Sequence, residues 1–236
     1  MCVSHRLRQL VIDRYGCGAD KVRVIPNFVA WNGGTGGQAS ADRERRRAAL
    51  GLAGRKVFVY SGGAQSWQCV EETLLLVRRL RDVDSATFLL ALTPAAPAFA
   101  AAARRHGLTD SDCLIRCASF AAVPEWLRLC DWGLCLRNGR LLNQVASPTK
   151  VVEYLHCGLS VVLTEHVGDF PEVVRRHGVG VVLPYSWLQT EHGLGRAAEQ
   201  VLQTARPAAP GVYCAAAAPY SRDRVMSQWR AVLTAA

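Results

Sequence analysis

The segment SPTKVVEYLHCGLSVVLT, residues 147–164, predicts a helix followed directly by a buried strand. Ser147 and Pro148 form a helix start signal, because serine caps helix N-termini and proline fits the first helical position. The run SVVLT carries no charge and is typical of a strand that is covered on both faces. The segment therefore predicts one helix–strand unit of an α/β fold.

The same alternation continues in both directions along the chain. Six short, almost uniformly apolar runs are separated by helix patterns, which indicates a parallel sheet with helices on both faces. Right-handed crossovers would join these strands into one doubly wound, Rossmann-like α/β domain, whose ligands bind at the carboxyl ends of the strands. The predicted strands are KVFVYS (56–61), ATFLLAL (86–92), CLIRCA (113–118), WGLCL (132–136), SVVLT (160–164) and VGVVLP (179–184).

Helix patterns fill the connections between these strands. An Ala/Pro linker then leads to a terminal helix over 220–235. The connecting helices are predicted over 69–80, 96–108, 123–130, 147–158, 170–178 and, as one long helix, 186–205.

The chain before the sheet is organised differently. A helix is predicted over 4–16, then a short strand KVRVIPN over 21–27, a Gly-rich linker, and the basic helix ADRERRRAALGL over 41–52. The arginine run of the basic helix is typical of a solvated face, with contact to phosphate or membrane as the alternative. A lone helix–strand pair cannot bury its apolar face, so we expect the first pair to pack on the main domain, to pair with another chain, or to be the last piece of a domain that this chain lacks.

Composition narrows the class of partner. Lys and Arg number 28 against 19 Asp and Glu, and the net charge of +9 suggests an anionic partner: nucleotide phosphates, lipid pyrophosphate, an anionic membrane or nucleic acid. Nucleic acid is disfavoured, because the arginines are scattered and no base-stacking aromatic platform is evident. The nine cysteines lack metal-binding spacing, and no apolar run reaches the ~20 residues that span a bilayer. These features predict a cytoplasmic protein without a metal site.

The helix start at Ser147 is a candidate anion site. Free backbone N–H groups and the helix dipole favour a phosphate there, and Lys150 in the first turn would reinforce them. Glu153 follows on the same side, where a carboxylate could accept hydrogen bonds from ribose hydroxyls. The alternative is a well-capped surface helix with a Lys150–Glu153 ion pair.

Three further segments end strands at the same edge of the sheet. Gly62 and Gly63 follow the first strand and would let backbone approach a diphosphate, although two glycines after a strand are often only a turn. Arg137 follows WGLCL and is either a partner for phosphate oxygens or a solvated loop residue. After SVVLT, the segment TEHVGDFPE contains Glu165, His166, Gly168 and Asp169. His166 is either a base or metal ligand, or only a loop or capping residue.

Several of these motifs together resemble a known family. SPTKVVEYLHCGLSVVLTEHVGDFPEVV resembles the donor-binding signature of retaining GT-B glycosyltransferases of the family 4 group. VSHRLRQLVIDRYGCGADKVRVIPNFV resembles the segment by which those enzymes leave their first domain, and VFVYSGGAQSW resembles the first strand and glycine turn of the second. The resemblance runs from residue 3 to about residue 184.

The resemblance implies a domain organisation. Residues 1–30 would be the last helix and strand of an N-terminal acceptor domain that is otherwise absent from this sequence. Residues 31–55 would be a linker and the basic helix, residues 56–218 the Rossmann-like domain that binds the nucleotide-sugar donor, and residues 219–236 a crossover helix. The chain would then be the C-terminal half of a GT-B architecture.

The resemblance also implies roles for the candidate site. Glu153 would hold the ribose, Gly62 and Gly63 would lie against the diphosphate, and Arg137 and Lys150 would neutralise it as the catalytic groups. Two residues at the helix start complete the nucleotide-binding set, Ser147 and Thr149. The reaction would transfer a sugar from the nucleotide to an acceptor hydroxyl with retention, without a metal or a protein nucleophile.

The sequence departs from the family pattern at three places. Val145 stands where the family often has a glutamate that touches the donor sugar, Gly63 stands where an arginine is usual, and Trp67 and Gln68 lie where a lysine is expected. These departures leave two hypotheses open. The chain is either the donor-binding half of an enzyme that makes surface polysaccharide or glycolipid, at the inner face of a membrane, or a non-catalytic or split-enzyme module that needs a partner acceptor domain.

Overall fold

The computed structural model of the chain describes residues 1–29 and 40–234. Within them, parallel strands form a sheet in the order β3-β2-β1-β4-β5-β6. This confirms the predicted doubly wound α/β fold and all six strands, with differences of one or two residues at some ends. The strands are β1 (Lys56–Ser61), β2 (Thr87–Leu92), β3 (Cys113–Arg116), β4 (Trp132–Cys135), β5 (Ser160–Thr164) and β6 (Gly180–Leu183).

Helices cover both faces of the sheet. Among the described residues, no helix is both long enough and apolar enough to cross a bilayer. The helices are α1 (His5–Tyr15), α2 (Ser40–Ala49), α3 (Val70–Val83), α4 (Ala96–Arg105), α5 (Val123–Leu127), α6 (Leu141–Val145), α7 (Thr149–His156), α8 (Phe170–His177), α9 (Glu191–Gln203), α10 (Pro210–Ala217) and α11 (Arg222–Thr234).

The apolar strand patterns arise because both faces of the sheet are buried. In β1, Val57 and Val59 pack on the side that carries α7 and α10, whereas Phe58 and Tyr60 pack on the side that carries α3, α4 and α9. Successive side chains of a strand point to opposite faces, so a strand covered twice must be apolar at every position. Two hydrophobic cores result, one on each side of the sheet.

The strand order reverses between β1 and β4. From β1 the chain proceeds outward through β2 to β3, then returns to β4 and proceeds outward in the opposite direction to β6. Connections therefore leave the carboxyl ends of β1 and β4 in opposite directions, which opens a crevice between them. This switch point is where an open α/β sheet binds its ligand.

The N-terminal segment packs against the loops at this edge. Helix α1 begins after Ser4, whose hydroxyl accepts the Leu7 N–H at 3.0 Å and donates to the Val145 carbonyl at 2.6 Å. The Asp169 carboxylate accepts the His5 N–H at 2.6 Å. The Asn27 side chain donates to the Ser147 carbonyl at 2.8 Å. Residues 1–29 therefore hold the chain around the starts of α7 and α8.

The strand predicted over 21–27 is wrong. Only an isolated parallel bridge between Cys2 and Val24 forms there. A parallel strand needs a neighbouring strand along its whole length, whereas the N-terminal residues form only one bridge. The helix predicted over 4–16 is confirmed, with Gly16 at its end in the left-handed conformation (φ 64°).

Two predictions for the C-terminal third are corrected. The single helix over 186–205 is broken at Thr190, whose hydroxyl accepts the Gly193 N–H at 3.1 Å and caps α9. The Ala/Pro linker contains α10, which starts at Pro210 because proline is tolerated in a first turn. The short helix α6 is a further element that the sequence patterns did not predict.

Helix α2 is not simply a solvated face. Arg45 is exposed, as expected, but Arg47 is 4% exposed. The Arg47 guanidinium donates to the Leu129 carbonyl at 2.7 Å and forms an ion pair with Asp131 at 3.2 Å. The arginine run therefore ties α2 to the amino end of β4. The Gly-rich linker predicted before α2 lies mostly outside the described residues.

Candidate functional site at the strand switch point

The site lies at the carboxyl ends of the two strands that flank the reversal. Gly62 follows β1, Arg137 follows β4, and Lys150 and Glu153 project from α7. Strands β1 and β4 are neighbours in the sheet, and the Lys150 ammonium lies 4.7 Å from the centre of the Tyr60 ring near the end of β1. The structure therefore brings five of the seven predicted site residues to one crevice: Gly62, Gly63, Arg137, Lys150 and Glu153.

Lys150 is a buried cation. Its side chain is 8% exposed, and its ammonium donates to Gln68 Oε1 at 2.9 Å and lies 4.7 Å from the centre of the Tyr60 ring. Burial lowers the pKa of Lys150 to about 8, and the charge of Arg137 acts in the same direction. Lys150 is therefore still protonated at neutral pH but lacks the solvation that an exposed lysine has.

Gly62 allows backbone and ammonium to meet. Its φ is 141°, which side-chain-bearing residues rarely adopt, and a Cβ there would lie 2.7 Å from Lys150 Nζ. Its N–H donates to the Leu92 carbonyl at 2.9 Å, which ties this turn to β2. The N–H of Gly63, by contrast, has no acceptor among the described residues.

Tyr60 holds the Gly62–Gly63 turn in place through its hydroxyl. Its hydroxyl donates to the Gly63 carbonyl, and the ring supports the Lys150 ammonium. Burial raises the pKa of Tyr60, so the hydroxyl keeps the proton that it donates. The apolar pattern KVFVYS placed Tyr60 in the core but gave no indication that its hydroxyl reaches the site.

Arg137 is buried without an acidic partner among the described residues. It is 5% exposed, its Nη1 donates to the Leu136 carbonyl at 2.9 Å, and its backbone N–H donates to Thr164 Oγ1 at 2.9 Å. The Thr164 hydroxyl in turn donates to the Arg137 carbonyl at 2.6 Å. The backbone is thus fixed between β4 and β5, while most of the guanidinium N–H groups have no partner within the described chain. A solvated loop arginine, the alternative interpretation, does not fit this burial.

Glu153 is an acidic residue one turn after Lys150 on α7. It is 9% exposed, and within the described residues its carboxylate has no hydrogen bond or ion pair to another side chain. Burial raises the pKa of Glu153, and the charge of Lys150 only partly opposes this effect. The alternative of a surface helix with a Lys150–Glu153 ion pair is wrong, because the run Lys150–Leu155 of α7 is buried.

The start of α7 differs from the prediction by one residue. Pro148 is the cap residue, without a side-chain hydrogen bond, and the helix begins at Thr149. Ser147 therefore does not cap the helix. It is buried, and its carbonyl accepts the Asn27 side chain at 2.8 Å. Thr149 is exposed at the first turn.

The segment after β5 plays a structural part. Glu165 accepts the Tyr185 N–H at 2.8 Å, and Asp169 accepts two N–H groups at the start of α1. Gly168 has a φ of 48° and leaves no room for a Cβ against the Ala146 carbonyl. His166 lies beside Glu165, with 3.4 Å between Nε2 and Oε1. These contacts match the capping interpretation of the segment.

No group of three His, Cys, Asp or Glu side chains suited to a metal ion occurs in residues 1–29 and 40–234. In the crevice itself, Glu153 lies one turn after Lys150 on α7, and Arg137 adds a second positive charge. The arrangement suits an anion with hydroxyl groups on one side of it. The fold and the crevice together define a doubly wound α/β domain with two buried cations at its switch point.

Solved structures similar to this chain include glycosyltransferases. HepE from Anabaena in complex with UDP matches 100% of this chain and 63% of its own, at 16% identity and a TM-score of 0.73. A trehalose 6-phosphate synthase from Burkholderia multivorans matches 99% and 58%, at 16% identity and a TM-score of 0.68. WaaG, a glycosyltransferase involved in lipopolysaccharide biosynthesis, matches 93% and 56%, at 16% identity and a TM-score of 0.66.

These likenesses establish the fold as the α/β Rossmann-like fold of GT-B glycosyltransferases. The chain spans roughly three fifths of the length of these proteins, with 63%, 58% and 56% of the three covered. No protein-family model matches the sequence, and no curated protein matches it either.

Proposed function

We propose that this chain is the donor-binding part of a retaining, family 4-like GT-B glycosyltransferase. It would bind a nucleotide-sugar and transfer the sugar to an acceptor hydroxyl, with the acceptor held by a further domain. One observation carries the proposal. Two buried cations without acidic partners in the described chain, Lys150 and Arg137, lie with the Gly62–Gly63 turn at the switch point.

The two cations suit a leaving diphosphate. As the bond between sugar and phosphate breaks, negative charge grows on the departing oxygen, and fixed positive charge in a site with little water stabilises it strongly. Lys150, with a pKa of about 8, is charged at neutral pH and has only Gln68 as a hydrogen-bond acceptor among the described residues. Phosphate oxygens would replace that amide. No protein nucleophile or metal ion is part of this proposal.

Glu153 would hold the ribose. A carboxylate beside a diphosphate site repels the ligand unless it accepts hydrogen bonds from neutral hydroxyls, and the two adjacent ribose hydroxyls supply them. Glu153 has no competing side-chain donor within the described residues. Ser147 and Thr149, at the start of α7, would complete the nucleotide contacts, Thr149 from its exposed position.

The product class and location extend the proposal. WaaG is involved in lipopolysaccharide biosynthesis, and we propose synthesis of a surface polysaccharide or glycolipid for this chain as well. The enzyme would act in the cytoplasm, with its excess of basic residues touching an anionic membrane. An acceptor domain, on the same or a separate chain, would account for the part of the solved structures that this chain does not cover.

Titration calorimetry with UDP, GDP and ADP tests the proposal. We expect one of the three to bind with micromolar affinity, equally well with and without EDTA. Lys150→Ala should weaken binding at least tenfold. The control is Lys56→Ala, at the other end of β1, whose ammonium pairs with Asp84 at 2.7 Å. Absence of heat for all three nucleotides on folded protein would overturn the proposal.

A second candidate is a non-catalytic or split-enzyme binding module. It is favoured by Val145 and Gly63, which replace a glutamate and an arginine of the family pattern. In addition, the Val145 carbonyl already accepts the Ser4 hydroxyl at 2.6 Å. Mixing the chain with a separately expressed acceptor domain separates the two. Sugar transfer in the mixture supports a split enzyme, and nucleotide binding without any transfer supports a non-catalytic module.

A further inference from the structure

Tyr154 connects α7 to the two strands that form the crevice. It follows Glu153 directly and is fully buried. Its ring lies across β4 at Gly133, where any Cβ would overlap the ring. The missing side chain at position 133 is therefore what allows this tyrosine to reach through to the other strand.

The Tyr154 hydroxyl joins β1 to β4 where their pairing ends. The paired residues run as far as Tyr60 and Leu134. One residue further on, the Ser61 N–H donates to the Tyr154 hydroxyl at 3.0 Å, and the hydroxyl donates to the Leu134 carbonyl at 3.4 Å. Burial raises the pKa of Tyr154 well above its usual value, so the hydroxyl keeps its proton and can play both parts.

We infer that Tyr154 is a positioning residue, which sets the separation of the β1 and β4 ends so that the Gly62–Gly63 turn and Arg137 face the same diphosphate. Ser61 stands immediately before Gly62, and Leu134 stands three residues before Arg137. The hydroxyl thus bridges backbone that leads directly into both phosphate-binding segments. This inference rests on the proposed function.

Tyr213 provides a control that separates a positioning role of Tyr154 from a purely structural one. Tyr213 is also buried, and its hydroxyl bonds to Ser160 Oγ at 2.9 Å and to the Pro207 carbonyl at 3.5 Å. Ser160 begins β5, at the edge of the sheet opposite the crevice. Phenylalanine at position 154 or 213 removes one buried hydroxyl and keeps the ring, but only the first change touches the switch point.

The experiment compares Tyr154→Phe with Tyr213→Phe. Affinities for UDP and UMP are measured by calorimetry, or those for the diphosphate and monophosphate of the base that binds best. We expect Tyr154→Phe to weaken the diphosphate about fivefold to tenfold, the size of effect that one lost hydrogen-bond bridge produces. The monophosphate should change less than about twofold, because Glu153 and the ribose contact remain. Tyr213→Phe should change neither.

Amide hydrogen exchange gives a second readout that needs no ligand. The Ser61 amide should exchange faster in Tyr154→Phe than in the wild type, and at the wild-type rate in Tyr213→Phe. Two results would overturn the inference alone, provided that the wild type binds the diphosphate. In the first, Tyr154→Phe loses affinity for the diphosphate and the monophosphate equally. In the second, Tyr154→Phe binds the diphosphate as tightly as the wild type does. Failure of the wild type to bind any nucleoside diphosphate would overturn the proposed function and this inference together.

Discussion

The Lys150 ammonium and the Gly62 backbone are packed so closely that a Cβ on Gly62 would lie 2.7 Å from Nζ. The ammonium comes from the first turn of α7 and the glycine follows the end of β1, so the contact depends on how α7 packs against the sheet. It places a positive charge beside a glycine turn at the point where the sheet reverses its strand order. We propose that a nucleoside diphosphate binds to the ammonium and the glycine turn together.

Substitution of Gly62 by alanine tests that contact. We expect loss of diphosphate affinity of more than tenfold and a destabilisation of about 1–3 kcal/mol, because the φ of 141° strains any side chain and the Cβ displaces Lys150. Calorimetry and thermal unfolding measure the two effects. The control is Gly54→Ala, which has a φ of 68° and open space around its Cβ. Gly54→Ala should destabilise the protein without altering nucleotide affinity, and equal binding by both variants would contradict the account.

Lys150 predicts how nucleotide binding depends on pH. The charged ammonium is the binding form, and its pKa is lowered to about 8 by burial. Diphosphate affinity should therefore fall as the pH rises above about 8 and level off above the higher pKa that Lys150 has in the complex. In Lys150→Arg the side chain stays charged, so any remaining binding should not decline over this range. Protonation of the terminal phosphate adds a separate decline below about pH 6. An affinity that is flat from pH 7 to 9.5 in the wild type would exclude Lys150 from phosphate binding.

Glu153 is tested against the ribose hydroxyls. Glu153→Gln should lower diphosphate affinity roughly tenfold, as expected when a charge-assisted hydrogen bond is lost. The wild type should bind the 2′-deoxynucleotide more weakly than the ribonucleotide, and the variant should bind both alike. Glu172→Gln is the control, since Glu172 is exposed and pairs only with Arg176 in the described chain. A variant that still distinguishes the two sugars would show that another group holds the ribose.

Gln68 is tested by adding a charge. In Gln68→Glu a carboxylate would stand 2.9 Å from Lys150 Nζ, form an ion pair with it and compete with phosphate. We expect diphosphate affinity to fall at least tenfold and its decline at alkaline pH to move to higher pH. Gln203→Glu introduces the same charge at the exposed end of α9 and should leave binding unchanged. Equal affinities in the two variants would mean that the ligand does not displace Gln68.

The sequence predicted the sheet well because its pattern is local. In KVFVYS and SVVLT every interior residue is apolar, and both runs became strands with the predicted ends. The run over 21–27 is also rich in Val and Ile, yet it lacks a paired neighbour, which no local pattern reveals. The helix over 210–217 was missed because Ala and Pro residues suggested a linker, although proline is permitted in a first turn.

For the candidate site, too, some features could be predicted from the sequence and others could not. Lys150, Arg137 and Glu153 could be placed together because the carboxyl ends of parallel strands share one edge of the sheet. The contacts that position them could not be foreseen. The Tyr154 hydroxyl reaches Ser61, 93 residues away in the chain, only because Gly133 leaves room for the ring. Such contacts are properties of the packed fold.

The most direct measurement of the central claim is a crystal structure of the chain with the nucleoside diphosphate that binds best. We expect the diphosphate in the crevice between β1 and β4, accepting hydrogen bonds from the Gly63 N–H, Arg137 and Lys150, with both ribose hydroxyls on Glu153. Lys150 should have exchanged Gln68 for a phosphate oxygen. A diphosphate bound elsewhere, or one in the crevice that leaves Lys150 on Gln68, would contradict the account.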